Sequence, residues 1–288
     1  MGTEAPWIWI DGKIIPAQEA TVGVLDHSFL YGDSIYETVR TYGGTLFRLD
    51  AHLDRLDLSA ARVGMTLPAD RATVRAIVTQ VAAHGAPGEV GVRLMISRGE
   101  GPLGIDPSLC PTPRILAFGW NLPAGPNPLE AQGIDLTIAD TRRNPASALD
   151  PAIKSGNFLN NIQAYREAKA RGVSDAVLLT VAGHVAEGTT WNLFWVRDGE
   201  VRTGEDRGIL LGVTRAAVFE ALEQLSIPVT CDAFLPEDLL SADEAFLTSS
   251  IRGVIPISSI DLARYPVPGP ITERVREEYA KITERERA

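Results

Sequence analysis

Apolar and polar positions alternate at the start of the chain as they do in strands. The segment WIWIDGKIIP predicts two short strands that turn at Asp11-Gly12. The segment SIYETVRTYGGTLFRL predicts a second hairpin that turns at Gly43-Gly44. Further strands are predicted over 89–97 and 113–120. The first part of the chain is therefore rich in strands that follow one another closely.

A helical repeat separates these strands. Residues 49–64, LDAHLDRLDLSAARVG, predict a helix with Leu53, Leu56 and Ala60 on its apolar side. Asp50 is the predicted N-cap, and Gly64 is expected to end the helix. A second helix is predicted over 70–85. The mixture of strands and helices predicts an α+β domain over residues 1–120.

The segment 121–133, NLPAGPNPLEAQG, carries three prolines and is the predicted interdomain linker. A strand is predicted over 133–140, and a strand meander over 174–203. Between them a helix is predicted over 157–172, with Phe158, Ile162 and Tyr165 on its apolar face. A helix over 214–226, a strand over 244–250 and a charged C-terminal helix follow. Residues 134–288 thus predict a second domain, of the α/β class.

Composition excludes several classes of protein. The chain of 288 residues is 45% apolar, and its formal net charge is −10, which argues against nucleic acid as a partner. No run of 18 apolar residues predicts a membrane span, and the N-terminus lacks the pattern of a signal peptide. Two cysteines and four scattered histidines predict no metal site. We expect a cytoplasmic protein with free thiols.

A glycine motif invites a nucleotide-binding interpretation, which the neighbouring residues contradict. Gly99, Gly101 and Gly104 form G-x-G-x-x-G after a predicted strand. Three prolines follow within nine residues, so the helix that a dinucleotide site requires does not begin there. We interpret the segment as a loop.

Four other features are compatible with a phosphorylated aldehyde cofactor. Lys154, one of only four lysines among 27 basic residues, lies between apolar residues, and burial favours a nucleophilic amine. Glu187 lies between apolar strands and could pair with a protonated ring nitrogen. Gly212 precedes a helix whose N-terminus suits a phosphate, and Arg55 adds a cation. Each feature alone has an ordinary structural explanation, but the set matches pyridoxal phosphate.

The sequence resembles the class IV aminotransferases, which are pyridoxal-phosphate enzymes of fold type IV. The resemblance covers nearly the whole chain through motifs in a fixed order: SFLYGDSIYETVR, LFRLDAHLDRL, IKSGNFLNN, VAEGTTWNLF, LLGVTR and ADEAFLTSS. The family includes branched-chain amino acid aminotransferases, D-amino acid aminotransferases and aminodeoxychorismate lyase. It implies a two-domain architecture and a homodimer.

The resemblance also implies roles for individual residues. Lys154 would bind the cofactor covalently and Glu187 would contact its ring nitrogen. The residues that would hold the phosphate or lie against the ring are Arg55, Leu210, Val213, Thr214 and Ser250. The residues that would bind the amino acid or keto acid substrate are Tyr31, Thr38, Arg40, Arg93, Arg98 and Ile251. Tyr31 would lie in a pocket shared with the partner subunit.

The substrate stays open at this point. Arg40 and Arg93 resemble arginines of the branched-chain enzymes, whereas Arg98 resembles the carboxylate-binding arginine of the D-amino acid enzymes. Thr38 stands where the lyase has its catalytic threonine. We expect a transaminase that moves an amino group from an apolar L-amino acid to 2-oxoglutarate. The alternatives are a D-amino acid or (R)-amine transaminase, aminodeoxychorismate lyase, and a non-catalytic member that binds the cofactor.

Overall fold

The computed structural model describes residues 6–287 and divides the chain into two compact units. Of the described residues, the first unit holds 6–125, the short segment Ile153–Asn157 and 286–287. The second unit holds Pro126–Ala152 and Phe158–Arg285. The segment that carries Lys154 is therefore packed in the first unit, although the predicted boundaries placed it in the second domain. The predicted linker 121–133 contains the end of a strand and one short helix.

One antiparallel sheet and two longer helices form the first unit. Its elements are β1 (Trp7–Ile10), β2 (Lys13–Pro16), α1 (His27–Tyr31), β3 (Ser34–Tyr42), β4 (Thr45–Leu46), α2 (Leu49–Arg62), α3 (Arg71–His84), β5 (Val90–Ser97) and β6 (Arg114–Asn121). The strand order is β2-β1-β6-β5-β3-β4, and every neighbouring pair is antiparallel. Both predicted hairpins and both predicted helices are present.

Alternation along β3 separates two kinds of side chain. Ile35, Val39 and the apolar side of α2 join one core cluster. Tyr36 and Arg40 lie on the opposite face of the strand because successive side chains of a strand point to opposite sides. The prediction that Asp50 caps α2 is wrong. Arg48 occupies the N-cap position with a left-handed backbone, and Asp50 lies in the first turn, where it forms ion pairs with arginines of α3.

A mixed sheet of nine strands forms the centre of the second unit. Its elements are α4 (Leu129–Gln132), β7 (Ile134–Ile138), α5 (Leu159–Ala170), β8 (Asp175–Leu179), β9 (Val185–Gly188), β10 (Asn192–Arg197), β11 (Glu200–Gly204), α6 (Val213–Gln224), β12 (Val229–Asp232), α7 (Pro236–Leu240), β13 (Glu244–Ser249), β14 (Gly253–Ile260), β15 (Ala263–Arg264) and α8 (Pro270–Arg285). The order is β12-β11-β10-β13-β14-β7-β8-β9, and β15 pairs with β14.

The sheet of the second unit is parallel at three pairs, β11 with β12, β14 with β7 and β7 with β8. Near the end of β11, a Cβ on Gly204 would lie 2.6 Å from the carbonyl oxygen of Val185 in β9. Only glycine allows these two backbones to approach so closely. The close approach shows that the sheet curls rather than lying flat.

Helix α5 buries a different face from the predicted one. Ala164 and Ala168 are its buried residues, and they pack against β7 and β8. Ile162 and Tyr165 are exposed. Small side chains let the helix lie close to the strands, so apolar size alone was a poor guide to the buried face. The predicted apolar face of this helix was therefore wrong.

The glycine motif lies in a loop, as predicted. β5 ends at Ser97, and the first helical turn after it is a 3-10 turn over Pro107–Leu109. Both cysteines are free thiols, with Cys110 buried and Cys231 exposed. Within residues 6–287, no helix combines the length and the apolar character that crossing a bilayer requires.

Candidate active site

Lys154 is held through its backbone in the first unit. Its carbonyl oxygen accepts a hydrogen bond from the Tyr36 N–H at 2.9 Å, and its own N–H donates to Ser59 Oγ at 3.1 Å. The Gly156 N–H donates to the Ser34 carbonyl at 2.8 Å. The lysine segment thus pairs with the beginning of β3, along the edge of that strand that does not face β5. Both backbone hydrogen-bonding groups of Lys154 are satisfied, which fixes the base of its side chain.

Two cations share one aromatic ring in this unit. Lys154 Nζ lies 4.5 Å from the centre of the Tyr36 ring, and the Arg93 guanidinium lies 4.1 Å from the same centre. Burial lowers the pKa of the Arg93 guanidinium, and the interaction with Tyr36 opposes that effect. Tyr36 follows the predicted alternation of β3, and Arg93 comes from the neighbouring β5. The arrangement provides an amine and a guanidinium on one side of the sheet, which suits an anionic substrate.

Arg55 belongs to a buried cluster on α2 and β3. Its Nε donates to Glu37 Oε1 at 2.8 Å, and its Nη2 donates to Glu37 Oε2 at 2.7 Å. His52 Nδ1 lies 2.7 Å from the same Oε2. Burial raises the pKa of Glu37, but the charge of Arg55 and the hydrogen bonds from Arg55 and His52 outweigh burial and hold that pKa well below its usual range. Burial also lowers the pKa of His52, so this imidazole is neutral.

The other predicted substrate residues of the first unit differ in their surroundings. Thr38 lies directly opposite Arg93 in the pairing of β3 with β5. Arg40 donates from Nε to the Thr41 carbonyl at 3.1 Å, and its guanidinium lies 4.2 Å from the centre of the Tyr42 ring. Thr38 and Arg40 therefore lie on the same face of the strand as Tyr36.

Arg98 is buried and engaged at several nitrogens. Its Nε donates to Asp33 Oδ2 at 2.8 Å and its Nη2 to Asp33 Oδ1 at 3.1 Å. The same guanidinium donates to the carbonyl oxygens of Gly64 at 3.0 Å and Val63 at 2.9 Å. This pattern is typical of an arginine that ties segments of a fold together. Tyr31, in contrast, is partly exposed, and its hydroxyl oxygen accepts from the Gly104 N–H at 3.0 Å.

In the second unit, Glu187 lies buried in β9 and accepts hydrogen bonds at both of its carboxylate oxygens. Its Oε1 accepts from Arg143 Nε at 2.8 Å. Its Oε2 accepts from the Leu210 N–H at 3.1 Å and from Asn192 Nδ2 at 3.3 Å. A carboxylate accepts from several donors, so one that pairs with a guanidinium can also pair with a protonated ring nitrogen. Arg143 was not predicted, because nothing in the sequence ADTRRN distinguishes it from its neighbour.

The first turn of α6 has the properties of an anion site. Gly212 is its N-cap, without a side-chain cap, and Val213 and Thr214 are buried in its first turn. A Cβ on Gly212 would lie 2.2 Å from Asn192 Oδ1, so a larger residue there would displace the side chain of Asn192. The N–H groups at a helix N-terminus point outward and bind anions.

Strand β13 and the turn that follows it carry two buried polar atoms that a phosphate or a carboxylate could satisfy. Thr248 Oγ1 and Arg252 Nη1 are buried and have no hydrogen-bond partner in the part of the chain that the structure describes. Thr248 lies opposite Asn192 in the pairing of β13 with β10, and Ser250 and Ile251 lie in the following turn. A buried hydroxyl without a partner costs free energy. The donors of this unit therefore fit a bound anion, and Arg252 is a cation that the sequence analysis did not single out.

The structure groups the predicted residues within each unit as follows. The first unit brings Lys154 and Arg93 to the ring of Tyr36, a residue that the sequence analysis did not single out, and it places Arg55 in the cluster on α2. The second unit brings Glu187 and Leu210 into contact and places Val213 and Thr214 at the start of α6. Within residues 6–287, no three His, Cys, Asp or Glu side chains form a group that could hold a metal ion.

Comparisons with known proteins place the chain in a family. Residues 34–260 match the model of the family described as amino-transferase class IV. A relative from Methanocaldococcus jannaschii, provisionally named as a branched-chain-amino-acid aminotransferase, is 34% identical over 279 residues, which is 96% of each chain.

Other relatives carry different activities in their names. D-alanine aminotransferase of Bacillus licheniformis is 29% identical over 93% of this chain and 94% of its own length. Aminodeoxychorismate lyase of Bacillus subtilis is 31% identical over 90% of this chain and 88% of its own length. The chain is thus similar to enzymes of three different specificities.

A solved structure agrees over nearly the whole chain. The T.th. branched-chain amino acid aminotransferase with pyridoxamine 5′-phosphate superimposes with a TM-score of 0.91 at 30% sequence identity. The match covers 97% of this chain and 94% of that one. The two units described above therefore have the architecture of that enzyme, which confirms the predicted fold class.

Proposed function

Because the chain belongs to the class IV aminotransferase family, we propose that it is a pyridoxal-phosphate-dependent transaminase for apolar L-amino acids with 2-oxoglutarate as the amino acceptor. The observation that carries the proposal is the position of Lys154. Its backbone N–H and its backbone carbonyl are both hydrogen-bonded, and its Nζ and the Arg93 guanidinium both lie against the Tyr36 ring. An amine and a carboxylate-binding cation next to each other are what a transaminase needs for a keto acid substrate.

The hydrogen-bond donors and charged groups of each unit support the following roles in binding the cofactor. We propose that Lys154 binds pyridoxal phosphate covalently and that Glu187 contacts the ring nitrogen. The phosphate is held by the residues that carry cationic or N–H donors and by one hydroxyl: Arg55, Val213, Thr214 and Ser250. Leu210, whose N–H already donates to Glu187, lies against the ring. The two buried atoms of Thr248 and Arg252 support an anion in the second unit.

Pyridoxal phosphate, when bound, supplies an aldehyde that condenses with amines and a ring that accepts electrons. The residues of the chain do the rest. Lys154 Nζ, released when the amine of the donor takes its place on the cofactor, would take the proton from the α-carbon of the donor. It would return that proton to the former aldehyde carbon, on the other side of the amino nitrogen. Glu187, held by its hydrogen bond from Arg143, would accept from the protonated ring nitrogen. Arg55, oriented by Glu37, keeps the phosphate in place while the donor and the acceptor exchange.

For the second carboxylate of 2-oxoglutarate we propose Arg93 among the three candidate arginines. Arg93 shares a ring with the reactive amine, whereas Arg98 already donates to Asp33 and to two backbone carbonyls. Arg40 lies farther along β3, beside Tyr42. The preference for apolar donors is supported by the similarity to branched-chain enzymes. The similarity to D-alanine aminotransferase keeps D-amino acids or (R)-amines as an alternative donor class.

One observation favours a second candidate function. Thr38 lies on the face of β3 that carries Tyr36 and stands directly opposite Arg93, so a hydroxyl lies on the side of the reactive amine. A hydroxyl at this place is compatible with aminodeoxychorismate lyase, which one relative is named as. The lyase would release pyruvate from aminodeoxychorismate without an amino acceptor.

One experiment separates these candidates. Borohydride reduction of the purified holoenzyme followed by peptide mapping is expected to find the cofactor on Lys154, and not on Lys169, the control lysine of α5. Single turnovers with L-amino acids, D-amino acids and (R)-amines, followed by absorbance, are expected to convert the cofactor with apolar L-amino acids. Conversion by D-amino acids or (R)-amines alone supports the alternative donor class. Release of pyruvate from aminodeoxychorismate supports the lyase, and no reaction with any compound supports a non-catalytic member.

We also propose a homodimer. Exposed apolar side chains of the first unit form one surface around α1 and the loop that follows β5, and we name this the α1 surface: Val24, Leu25, Phe29, Tyr31, Leu103 and Ile105. Hydrogen bonds join its two parts, from the Gly101 N–H to the Leu25 carbonyl and from the Gly104 N–H to Tyr31 Oη. Exposed apolar side chains on neighbouring segments are typical of a protein interface, and a second copy of the chain is the partner that the family resemblance implies.

A further inference from the structure

Ser59 lies at a position in α2 where its own properties are unfavourable. Its side chain is buried, with 1% of the residue exposed, and Ala60 and Ala61 follow it. Serine forms helices less readily than alanine, and burial of a hydroxyl costs free energy unless the oxygen is hydrogen-bonded. A serine at this position, next to two alanines, is therefore explained by a hydrogen-bond donor from which its oxygen accepts.

That partner is the backbone of Lys154. The Lys154 N–H donates to Ser59 Oγ at 3.1 Å, across 95 residues of sequence. The Lys154 carbonyl accepts from the Tyr36 N–H at 2.9 Å. One hydrogen bond thus comes from α2 and the other from β3, and together they set the direction in which the side chain leaves the backbone. The position of Nζ over the Tyr36 ring depends on both.

Helix α2 also carries Arg55, four residues before Ser59. Residues four apart lie on the same side of a helix, about 6 Å apart along its axis. Arg55 is held by its two hydrogen bonds to Glu37. A single helix therefore carries both Arg55 and the hydroxyl that holds the backbone of Lys154.

We propose that Ser59 is a positioning residue for the reaction, whose hydroxyl oxygen fixes Lys154 so that Nζ keeps the orientation that proton transfer requires. The inference rests on the proposed function, in which Lys154 carries the cofactor and Arg55 holds its phosphate. Proton transfer between carbon atoms is sensitive to the placement of the base by fractions of an ångström. The contribution of Ser59 therefore appears in the rate of turnover rather than in substrate binding.

The experiment compares holoenzymes of the wild type and of Ser59→Ala, Ser59→Cys, Ser59→Thr and Thr41→Val. Thr41 is the matched control because it is a buried hydroxyl of the same unit that accepts a hydrogen bond from a distant segment, the Val90 N–H at 2.8 Å. For each protein we would measure the melting temperature, kcat and KM. We would also measure the pH midpoint at which the absorbance band of the bound cofactor changes, because this band reports the environment of the bond to Lys154.

Ser59→Ala is expected to lower kcat about tenfold with KM within about twofold, and to move the pH midpoint of the band by about half a unit. Ser59→Thr keeps the oxygen and is expected to restore both values, and Ser59→Cys to give intermediate ones. Thr41→Val is expected to lower the melting temperature while kcat and the midpoint stay at their wild-type values.

Wild-type kcat and midpoint in both Ser59→Ala and Ser59→Cys would overturn the inference, whatever their melting temperatures. An equal shift of the midpoint in Thr41→Val would also overturn it, because the effect would then reflect general loss of stability. Borohydride labelling of the wild type keeps the two proposals apart. Without a label on Lys154 the proposed function fails and the role of Ser59 fails with it, whereas a label on Lys154 with unchanged variants refutes Ser59 alone.

Discussion

At the scale of single residues, three buried charges of this protein are each paired with an opposite charge of the same unit. Glu37 is matched by Arg55, Glu187 by Arg143 and Arg98 by Asp33. Removing one member of such a pair leaves the other buried and uncompensated, which costs more than the pair itself contributes. The pairs therefore make stability depend on pH and on particular side chains.

The first prediction concerns the acid sensitivity of Glu37 and His52. The folded pKa of Glu37 is held below its ordinary value of 4.5, and that of His52 below 6.5. In both cases the unfolded chain binds the proton more readily, so the free energy of unfolding falls as pH decreases, below about 6.5 for His52 and below about 4.5 for Glu37. The contribution of Glu37 is expected to fall by about 2 kcal/mol between pH 4.5 and pH 3.

Urea unfolding at several pH values checks this prediction in Glu37→Gln. The variant is expected to lose about 3–5 kcal/mol at pH 7, because Arg55 stays buried without its carboxylate partner. Its free energy of unfolding is also expected to decrease less steeply than that of the wild type as the pH falls below about 4.5. Asp50→Asn, which alters an exposed ion pair on the same helix, is expected to change the free energy of unfolding by less than about 1 kcal/mol. An equally steep decrease of the free energy of unfolding in Glu37→Gln and in the wild type would contradict this prediction.

A second prediction at this scale distinguishes the stabilising role of Arg98 from the substrate-binding role proposed for Arg93. Arg98→Lys is expected to lower the free energy of unfolding by about 2–4 kcal/mol, because lysine cannot replace the fork to Asp33 and the bonds to two carbonyls. Its KM for 2-oxoglutarate is expected to stay within about twofold. Arg93→Leu is expected to raise that KM by about tenfold or more, with a melting temperature close to that of the wild type. The reverse pattern would assign the substrate carboxylate to Arg98.

At the scale of elements, strong periodicity was a reliable guide and weak periodicity was not. The two hairpins at the start of the chain and helices α2, α3 and α6 were predicted from alternation, turn residues and helical repeats. The short elements α1, α4, α7, β12 and β15 were not, because two to five residues carry too little pattern. β14 was also missed, although it is eight residues long and forms the middle of its sheet. Its proline and its serines hide the pattern of a buried strand.

Some residues of the candidate site could likewise not be predicted from the sequence, but for a different reason. Lys154, Arg55 and Glu187 were singled out by residue type and resemblance, and those properties are local in the sequence. Ser59 and Arg143 act through contacts with segments 95 and 44 residues away, which no local pattern contains. Glu37 could have been found, since a carboxylate on the core-facing side of a strand needs a buried partner.

A prediction at the scale of elements concerns the start of helix α8. The carboxylate of Glu244 accepts from the Ile271 N–H at 2.9 Å and from the Thr272 N–H at 2.7 Å. It thereby satisfies two of the N–H groups that a helix leaves unpaired at its first turn. Glu244→Ala is expected to lower the free energy of unfolding by about 2 kcal/mol, as measured by urea unfolding. Glu273→Ala, which removes an exposed ion pair of the same helix, serves as the control and is expected to change little.

At the scale of the whole molecule, the α1 surface is the feature that the packing within the chain leaves unexplained. Phe29 is 70% exposed and Ile105 is 87% exposed, in segments that are joined by hydrogen bonds. Large apolar side chains this exposed and this close together cost free energy in water. Contact with a second copy of the chain would remove that cost on both copies, because a two-fold interface pairs the same surface with itself.

The prediction is that the protein is a dimer whose interface includes the α1 surface. Wild-type protein is expected to sediment at twice the mass of one chain at micromolar concentration. Phe29→Glu is expected to sediment as a monomer, since each interface would bury two carboxylates without partners. Leu262→Glu, which alters a residue that is 93% exposed in the second unit, is the control and is expected to stay dimeric. A monomeric wild type, or a dimer that survives Phe29→Glu unchanged, would show that these side chains do not form the interface.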